Sequence, residues 1–165
     1  MDSLKISFER ATPADAEALR DVQVASFHSD AHTYPGVGLT GPQGYDQVES
    51  VLEQIREDAY SKIVADGRII GGMIVSYIEP GHYHLDRIFI DPAYHNLGIG
   101  TRAMQFIERE YPAALWTLNT PTFARRNQHF YEKSGYVRVG EFPEPDHADI
   151  TLIEYEKRVP RTESS

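Results

Sequence analysis

Three groups of side chains in this sequence have the types and spacing for chemistry. His84 and Asp86 are separated by one residue, so on an extended strand both point to one face. An imidazole with an ordinary pKa of about 6.5 can take up a proton near neutral pH, and a neighbouring carboxylate can hold an ammonium. Asn127 and Tyr131 are one helical turn apart and share a helix face. A phenol with a pKa of about 10 stays protonated at neutral pH and can serve as a proton donor. The third group is D-P-A-Y-H-N-L-G-I-G, residues 91–100. It lies between the apolar run Ile88, Phe89, Ile90 and a helix-like stretch from Thr101.

Where a strand hands over to a helix, the first helical N–H groups have no partner inside the helix. Gly98 and Gly100 let the chain turn and let an anion come close without a Cβ in the way. Exposed amides and the positive end of a helix dipole together make an anion site, here read as a pyrophosphate cradle. It is not a P-loop, because no lysine follows the glycines. A dinucleotide fold would place its glycine loop after the first strand and an acid on the next strand. This loop follows the fourth strand, and the next strand ends in Leu118, Asn119 and Thr120.

These groups need strands, helices and turns to hold them. Ile6 and Phe8 alternate with polar residues as a short first strand. Thr12, Pro13 and Asp15 read as the N-cap, N1 and capping acid of a helix reaching about residue 27. Residues 28–44 are rich in Gly and Pro and are expected to be a long loop, with His28, Asp30, His32 and Tyr34 at a substrate mouth. Tyr45, Val48, Leu52, Ile55 and Ala59 follow a helical period. Strands at 62–65 and 68–78 flank the hairpin signal Asp66-Gly67, and Gly71-Gly72 suggests a bulge in the return strand. Glu79, Pro80 and Gly81 turn the chain into the fourth strand, residues 82–90. A helix at 101–111 buries Ala103, Met104 and Ile107 and stops at Pro112. A strand at 114–119 carries the only tryptophan, Trp116. Strand, helix, strand implies a crossover and a parallel pair. Thr120 and Pro121 are expected to start the last helix, and Gly135 to end it as a C′ residue. Strands at 136–142 and 150–157 close the chain. The expected fold is α/β, a mixed sheet that is mostly antiparallel with one parallel junction and helices on its faces. It forms one domain over residues 1–159, followed by a frayed tail at 160–165.

Composition fits that outline. The chain has 165 residues, 41% hydrophobic, enough for one domain with a real core. It has no cysteine, which removes disulfides, thiolate metal sites and a cysteine nucleophile. A net charge of −9 argues against a nucleic-acid partner and suits a cationic amine. The N-terminus lacks the apolar core of a signal peptide, and no run is long enough for a membrane span, so a cytoplasmic protein is expected. His82 and His84 could contribute two ligands to a metal with a carboxylate such as Asp86, but nothing else in the chain converges on them.

The chain resembles the GNAT N-acetyltransferases. The family signature Gln/Arg-x-x-Gly-x-Gly/Ala here reads His95-Asn96-Leu97-Gly98-Ile99-Gly100, and N-Q-H-F-Y-E-K-S-G-Y, residues 127–136, is similar to the family's Asn and Tyr helix with its Gly-aromatic pair. His95 departs from the family's Gln or Arg; the position offers mainly a backbone amide, and the imidazole adds a pH-dependent contact. The resemblance implies a GNAT-like fold of about seven strands and four helices, with the parallel fourth and fifth strands splayed apart around acetyl-CoA. Main-chain groups of Ile88, Phe89 and Ile90 would pair with the pantetheine arm. Amides of His95, Asn96, Leu97, Gly98, Ile99, Gly100 and Thr101 would take the pyrophosphate, with charge from Arg102, Arg125 or Arg126. Asn127 would contact the cofactor arm, and Tyr131 would protonate the leaving sulfur.

The main-chain N–H of Ile90 or Phe89 would polarise the thioester carbonyl, turned out of the ladder by a bulge. His84 or Asp86 would be the base or the amine anchor, and Glu79 and the loop residues His28 and Tyr34 would border the acceptor. Such acyl transfer needs no metal. The implied activity is acetyl transfer from acetyl-CoA to a primary amine of a small molecule, such as a polyamine or amino compound, by direct attack in a ternary complex. The alternatives are acetylation of a protein N-terminus or lysine, and a non-catalytic acyl-CoA sensor. A closing strand could also pair across a homodimer.

Overall fold

The computed structural model describes residues 4–33, 42–145 and 147–160. Its strands are β1 (Ile6–Arg10), β2 (Ala59–Ala65), β3 (Arg68–Glu79), β4 (His82–Ile90), β5 (Leu115–Pro121), β6 (Val137–Glu144) and β7 (His147–Arg158). Its helices are α1 (Ala16–Thr33), α2 (Val48–Glu57), α3 (Ile99–Glu110) and α4 (Arg125–Lys133). The seven strands form one sheet in the order β1-β2-β3-β4-β5-β7-β6. β4 and β5 are parallel, whereas β1–β2, β2–β3, β5–β7 and β6–β7 are antiparallel, so the mixed sheet with its single parallel junction is as expected. Among the described residues no helix is long and apolar enough to cross a membrane.

The chain packs as two compact units. The first comprises the residues up to Val75 together with Arg87–Ile107; the second comprises Ser76–Asp86 and the residues from Glu108 onward. In the first unit, Leu19 and Val22 of α1 and Val51 and Ile55 of α2 bury against Tyr60, Ile74 and Phe89. α3 buries Ile99, Ala103, Met104 and Ile107, the stripe its sequence spacing requires. In the second unit Tyr83, Tyr111 and Trp116 pack ring to ring, with Tyr83 and Trp116 centroids 5.8 Å apart. Leu118, Ile153 and Tyr155 supply further buried side chains there.

Several boundaries differ from the sequence expectation. α1 runs on to Thr33, so His28 lies in a helix and not in a loop. No Gly or Pro interrupts residues 14–34, and the polar run is held by Ser29 and Thr33 hydroxyls donating back to the Ser26 and Ser29 carbonyls at 2.6 and 3.0 Å. α2 starts at Val48, and Ala59 belongs to β2 because it pairs with Val75. Thr120 and Pro121 end β5 instead of starting a helix. Pro121 pairs with Leu152, the chain then turns, and α4 begins at Arg125 with Ala124 at its N-cap. The β2–β3 register shift puts the extra residue at Ile70, next to the expected Gly71-Gly72. Those glycines serve close approach: a Cβ on Gly72 would lie 2.7 Å from Phe89 Cζ, and one on Gly71 would collide with the Phe89 carbonyl.

Candidate active site

The turn after β4 is built by its own polar groups. Asp91 Oδ1 accepts the Ala93 N–H at 2.9 Å, and the Asp91 and Pro92 carbonyls accept the Tyr94 and His95 N–H groups. Asp91 N–H itself donates to the Ile70 carbonyl at 2.7 Å, which ties the end of β4 to the β3 bulge. His95 does more than offer an amide: its Nε2 lies 2.8 Å from the Ile90 carbonyl, and since a carbonyl only accepts, that nitrogen carries the hydrogen. Asn96 and Gly98 then adopt φ of 63° and 77°. Asparagine and glycine are the residues that tolerate this left-handed conformation. The first helical bond of α3 runs from Arg102 N–H to the Gly98 carbonyl at 3.2 Å. Among the described residues, no protein acceptor takes the main-chain N–H groups of Asn96, Leu97, Gly98, Ile99, Gly100 or Thr101. This is the donor set an anion requires at a helix start. Arg102, Arg125 and Arg126 are solvent-exposed.

A second cluster lies where β4 meets β5. The parallel ladder has three pairs, His82↔Leu115, Tyr83↔Trp116 and His84↔Thr117, while β4 itself continues to Ile90. His82, His84 and Asp86 alternate along the strand, as expected. His84 Nδ1 is 2.7 Å and His82 Nε2 2.9 Å from the same atom, Thr117 Oγ1. His84 Nε2 faces Asp86 Oδ1 at 3.8 Å, and His82 Nδ1 faces Glu79 Oε2 at 3.8 Å. The Ser76 hydroxyl donates to the other oxygen of Asp86. Burial holds His84 below the usual imidazole value; Asp86 and Glu154 pull it up and His82 pushes it further down. His84 therefore rests as a neutral base at physiological pH. Thr117 and Ser76 did not stand out in the sequence, because only the strand register reveals what faces them. Among the described residues no group of three His, Asp or Glu side chains could hold a metal ion.

The third group is on α4. Asn127 and Tyr131 both fall in the helix, with Asn127 half-buried and Tyr131 only 7% exposed. Tyr131 packs against Tyr136 and Tyr155 at 6.1 and 6.2 Å between centroids. The three hydroxyls have different fates. Tyr155 donates to Glu132 Oε2 at 2.7 Å, and burial with that carboxylate pushes its pKa up to about 12. Tyr136 Oη is enclosed with no partner among the described residues. Tyr131 Oη likewise has no partner among the described residues. Burial of the ring pushes Tyr131 well above the ordinary phenol value, which keeps its proton in place.

Of the three residues expected to border the acceptor, Glu79 is exposed beside His82. His28 lies 2.5 Å from the Tyr45 hydroxyl, a pairing the sequence did not suggest. Tyr34 lies outside the described residues.

A strand-to-helix amide cradle after the fourth strand, a parallel fourth and fifth strand, and a following helix with Asn and Tyr define one class of protein. The model of the acetyltransferase (GNAT) family matches residues 24–136, and the chain belongs to that family. This is a class of acyltransferases with acetyl-CoA as cosubstrate. The chain is 36% identical over 89 residues to the uncharacterized protein YrkN of Bacillus subtilis (strain 168), a match spanning 53% of this chain and 48% of YrkN, about half of that relative. It is 26% identical over 149 residues to the S-(2-succino)cysteine N-acetyltransferase of the same organism, covering 84% of this chain and 88% of that enzyme. Among solved structures, the PaiA N-acetyltransferase of Thermoplasma acidophilum in complex with coenzyme A superposes with a TM-score of 0.75 at 17% identity, covering 94% and 99% of the two chains. An aminoglycoside 6′-N-acetyltransferase, also complexed with coenzyme A, superposes at 0.71 and 20% identity, covering 96% and 99%. At such identities the structures speak for the fold.

Proposed function

We propose that this protein transfers the acetyl group of acetyl-CoA to the primary amine of a small, positively charged amino compound. The observation that carries this reading is the run of unclaimed main-chain donors from Asn96 to Thr101, at the head of α3. Those amides would hold the diphosphate without the expected His95, whose main-chain N–H already donates to the Pro92 carbonyl and whose ring donates to Ile90; Ile88, Phe89 and Ile90 would pair through their main chain with the pantetheine arm, and Asn127 would contact it. The N–H of Ile90 or Phe89 would polarise the thioester carbonyl.

The transfer needs one proton removed from the amine and one supplied to the leaving sulfur. An ammonium held at Asp86 Oδ1 first gives one proton to water; His84, neutral at rest, then takes the proton of the attacking amine through Nε2. Tyr131 gives the second, and its raised pKa ensures that it enters the reaction protonated. Direct attack within a ternary complex fits a chain with no cysteine to carry an acyl group.

One observation supports a cationic acceptor and another a small one. Glu79, Asp86 and Glu154 surround the two histidines, so the field there favours an ammonium. The 26% identical relative acts, by its name, on S-(2-succino)cysteine, a small amino acid with three carboxylates, which supports a small acceptor and not its positive charge. The test is a screen of polyamines, amino sugars, amino acids and peptides for coenzyme A release. In parallel, acetyl-CoA at about 100 times its Kd should stabilise the fold by about 2.7 kcal/mol, whereas ATP and NAD should not. Absence of both effects with acetyl-CoA would overturn the reading.

A further inference from the structure

We propose that Thr117 is the centre of a hydrogen-bonded relay that passes the proton accepted by His84 on to His82 and out to solvent. The proposal rests on the reading above, in which His84 is the base for the acceptor amine. The register makes the relay: Thr117 sits directly opposite His84 in the parallel ladder, and His82 is the next residue on the same face of β4. One hydroxyl oxygen thereby touches two imidazoles, at 2.7 and 2.9 Å.

A hydroxyl has one hydrogen and two lone pairs. No other acceptor for the Thr117 hydroxyl occurs among the described residues, so it donates to one histidine and accepts from the other. In the polarity that serves the reaction, His84 Nδ1–H donates to Thr117 and Thr117 O–H donates to His82 Nε2. His82 then keeps its hydrogen on Nδ1, the nitrogen that faces the Glu79 carboxylate. His84 keeps a lone pair on Nε2, the nitrogen beside Asp86. A substrate ammonium can rest on Asp86 Oδ1; once it has given one proton to water, the neutral amine donates an N–H to that lone pair.

As the new N–C bond forms, the amine N–H bond breaks and the hydrogen goes to His84 Nε2. The Nδ1 hydrogen of His84 moves to Thr117 Oγ1, the Thr117 hydrogen moves to His82 Nε2, and the Nδ1 hydrogen of His82 leaves to Glu79 or water. Each member gains one proton and loses one, and nothing is oxidised or reduced. After product departs, both ends exchange with water and the polarity resets. The relay has a physical use. A charged His84 would face burial and the neighbouring His82, with only Asp86 and Glu154 in its favour. The two imidazoles are exposed alike, 22% of the side chain for His84 and 21% for His82, and what marks His82 as the exit is Glu79 beside its Nδ1, 69% exposed.

The test compares the full-length protein with Thr117→Val, which keeps the branched shape, and Thr117→Ser, which keeps the hydroxyl. Imidazole nitrogen NMR at pH 8, assigned with His82→Gln and His84→Gln, is expected to show that one of His84 Nδ1 and His82 Nε2 is protonated and the other is not. Thr117→Ser keeps that pairing and Thr117→Val loses it. Protons on both nitrogens in the parent, or the same pairing in Thr117→Val, would overturn the relay whatever the enzyme acetylates. In turnover, Thr117→Val should lower kcat on the order of 10- to 100-fold with an unchanged KM for acetyl-CoA, and Thr117→Ser should recover most of it. A Thr117→Val enzyme with parental kcat would also sink the proposal. A parent that acetylates no amine, yet shows the split nitrogen pattern, would retire the functional reading and leave the hydrogen-bonded chain standing.

Discussion

The main-chain N–H of Tyr136 donates to the carbonyl of Tyr131 at 3.0 Å, and this bond closes the end of α4 around the tyrosine assigned to proton donation. Gly135 N–H donates to the Glu132 carbonyl at 3.1 Å, with Gly135 at φ 100°. The two bonds and the Tyr131–Tyr136 ring contact make a Schellman end, which needs a left-handed residue between them. Gly135→Ala should therefore cost about 1–2 kcal/mol, because alanine pays for a positive φ. The added Cβ also meets Lys157 Cε at 3.1 Å. Urea unfolding measures the loss, and an unchanged midpoint would contradict this account of the helix end.

Tyr131→Phe separates chemistry from packing. The hydroxyl has no partner among the described residues, so stability should change by less than about 0.5 kcal/mol. Turnover should fall on the order of 100-fold or more, while acetyl-CoA affinity measured by calorimetry stays within a factor of about two. Full activity in the variant would show that the thiolate gets its proton elsewhere.

The half-buried His84 predicts a pH dependence with a definite sign. His84 is depressed in the folded protein, so as pH falls the unfolded chain binds this proton first. The contribution to stability is fully present above the unfolded value of about 6.5 and is lost as pH drops through the lower folded value. Chemical denaturation at pH 7 and pH 5 should show a weaker fold at pH 5, and His84→Gln should flatten that slope. The acid limb of kcat/KM should likewise fall below the ordinary histidine value.

Glycines near the end of β4 should respond differently to alanine. A Cβ on Gly98 meets no atom within 4 Å, so Gly98→Ala pays only for its φ of 77°, about 1–2 kcal/mol. It should also weaken acetyl-CoA binding, since the amide cradle shifts with the backbone. Gly71→Ala drives a Cβ into the Phe89 carbonyl, and main chain cannot step aside as a flexible side chain can. Its cost should reach or exceed the ~1–3 kcal/mol typical of overpacking. Thermal melts of the two variants should rank in that order; the reverse would refute the close β3–β4 approach.

Local signals were legible where one rule dominated. The C′ glycine at 135 and the amphipathic stripe of α3 follow from spacing alone and appear at their expected residues, while the expected run of open amides begins one residue late, at Asn96, because the His95 N–H donates to Pro92. The errors came where two local rules competed. The Thr120-Pro121 pair has the composition of a helix start, yet pairing with β7 keeps it in the sheet. The polar stretch after Phe27 looks like a loop, yet without Gly or Pro the helix runs on, and His28 turns to Tyr45.

By itself the sequence determined the order of elements, the glycine turn after the fourth strand, the face shared by His84 and Asp86, and the turn shared by Asn127 and Tyr131, because these depend on helical and strand periods over a few residues. Only the tertiary structure decided which hydroxyl meets the histidines, which tyrosine oxygens stay unclaimed among the described residues, and that His95 reaches back to the Ile90 carbonyl. Thr117 is 33 residues from His84 in sequence, and no local pattern encodes the register of a parallel pair joined through a helix. That register comes from the packing of the whole sheet, and with it comes the environment that keeps one imidazole neutral and ready to accept a proton.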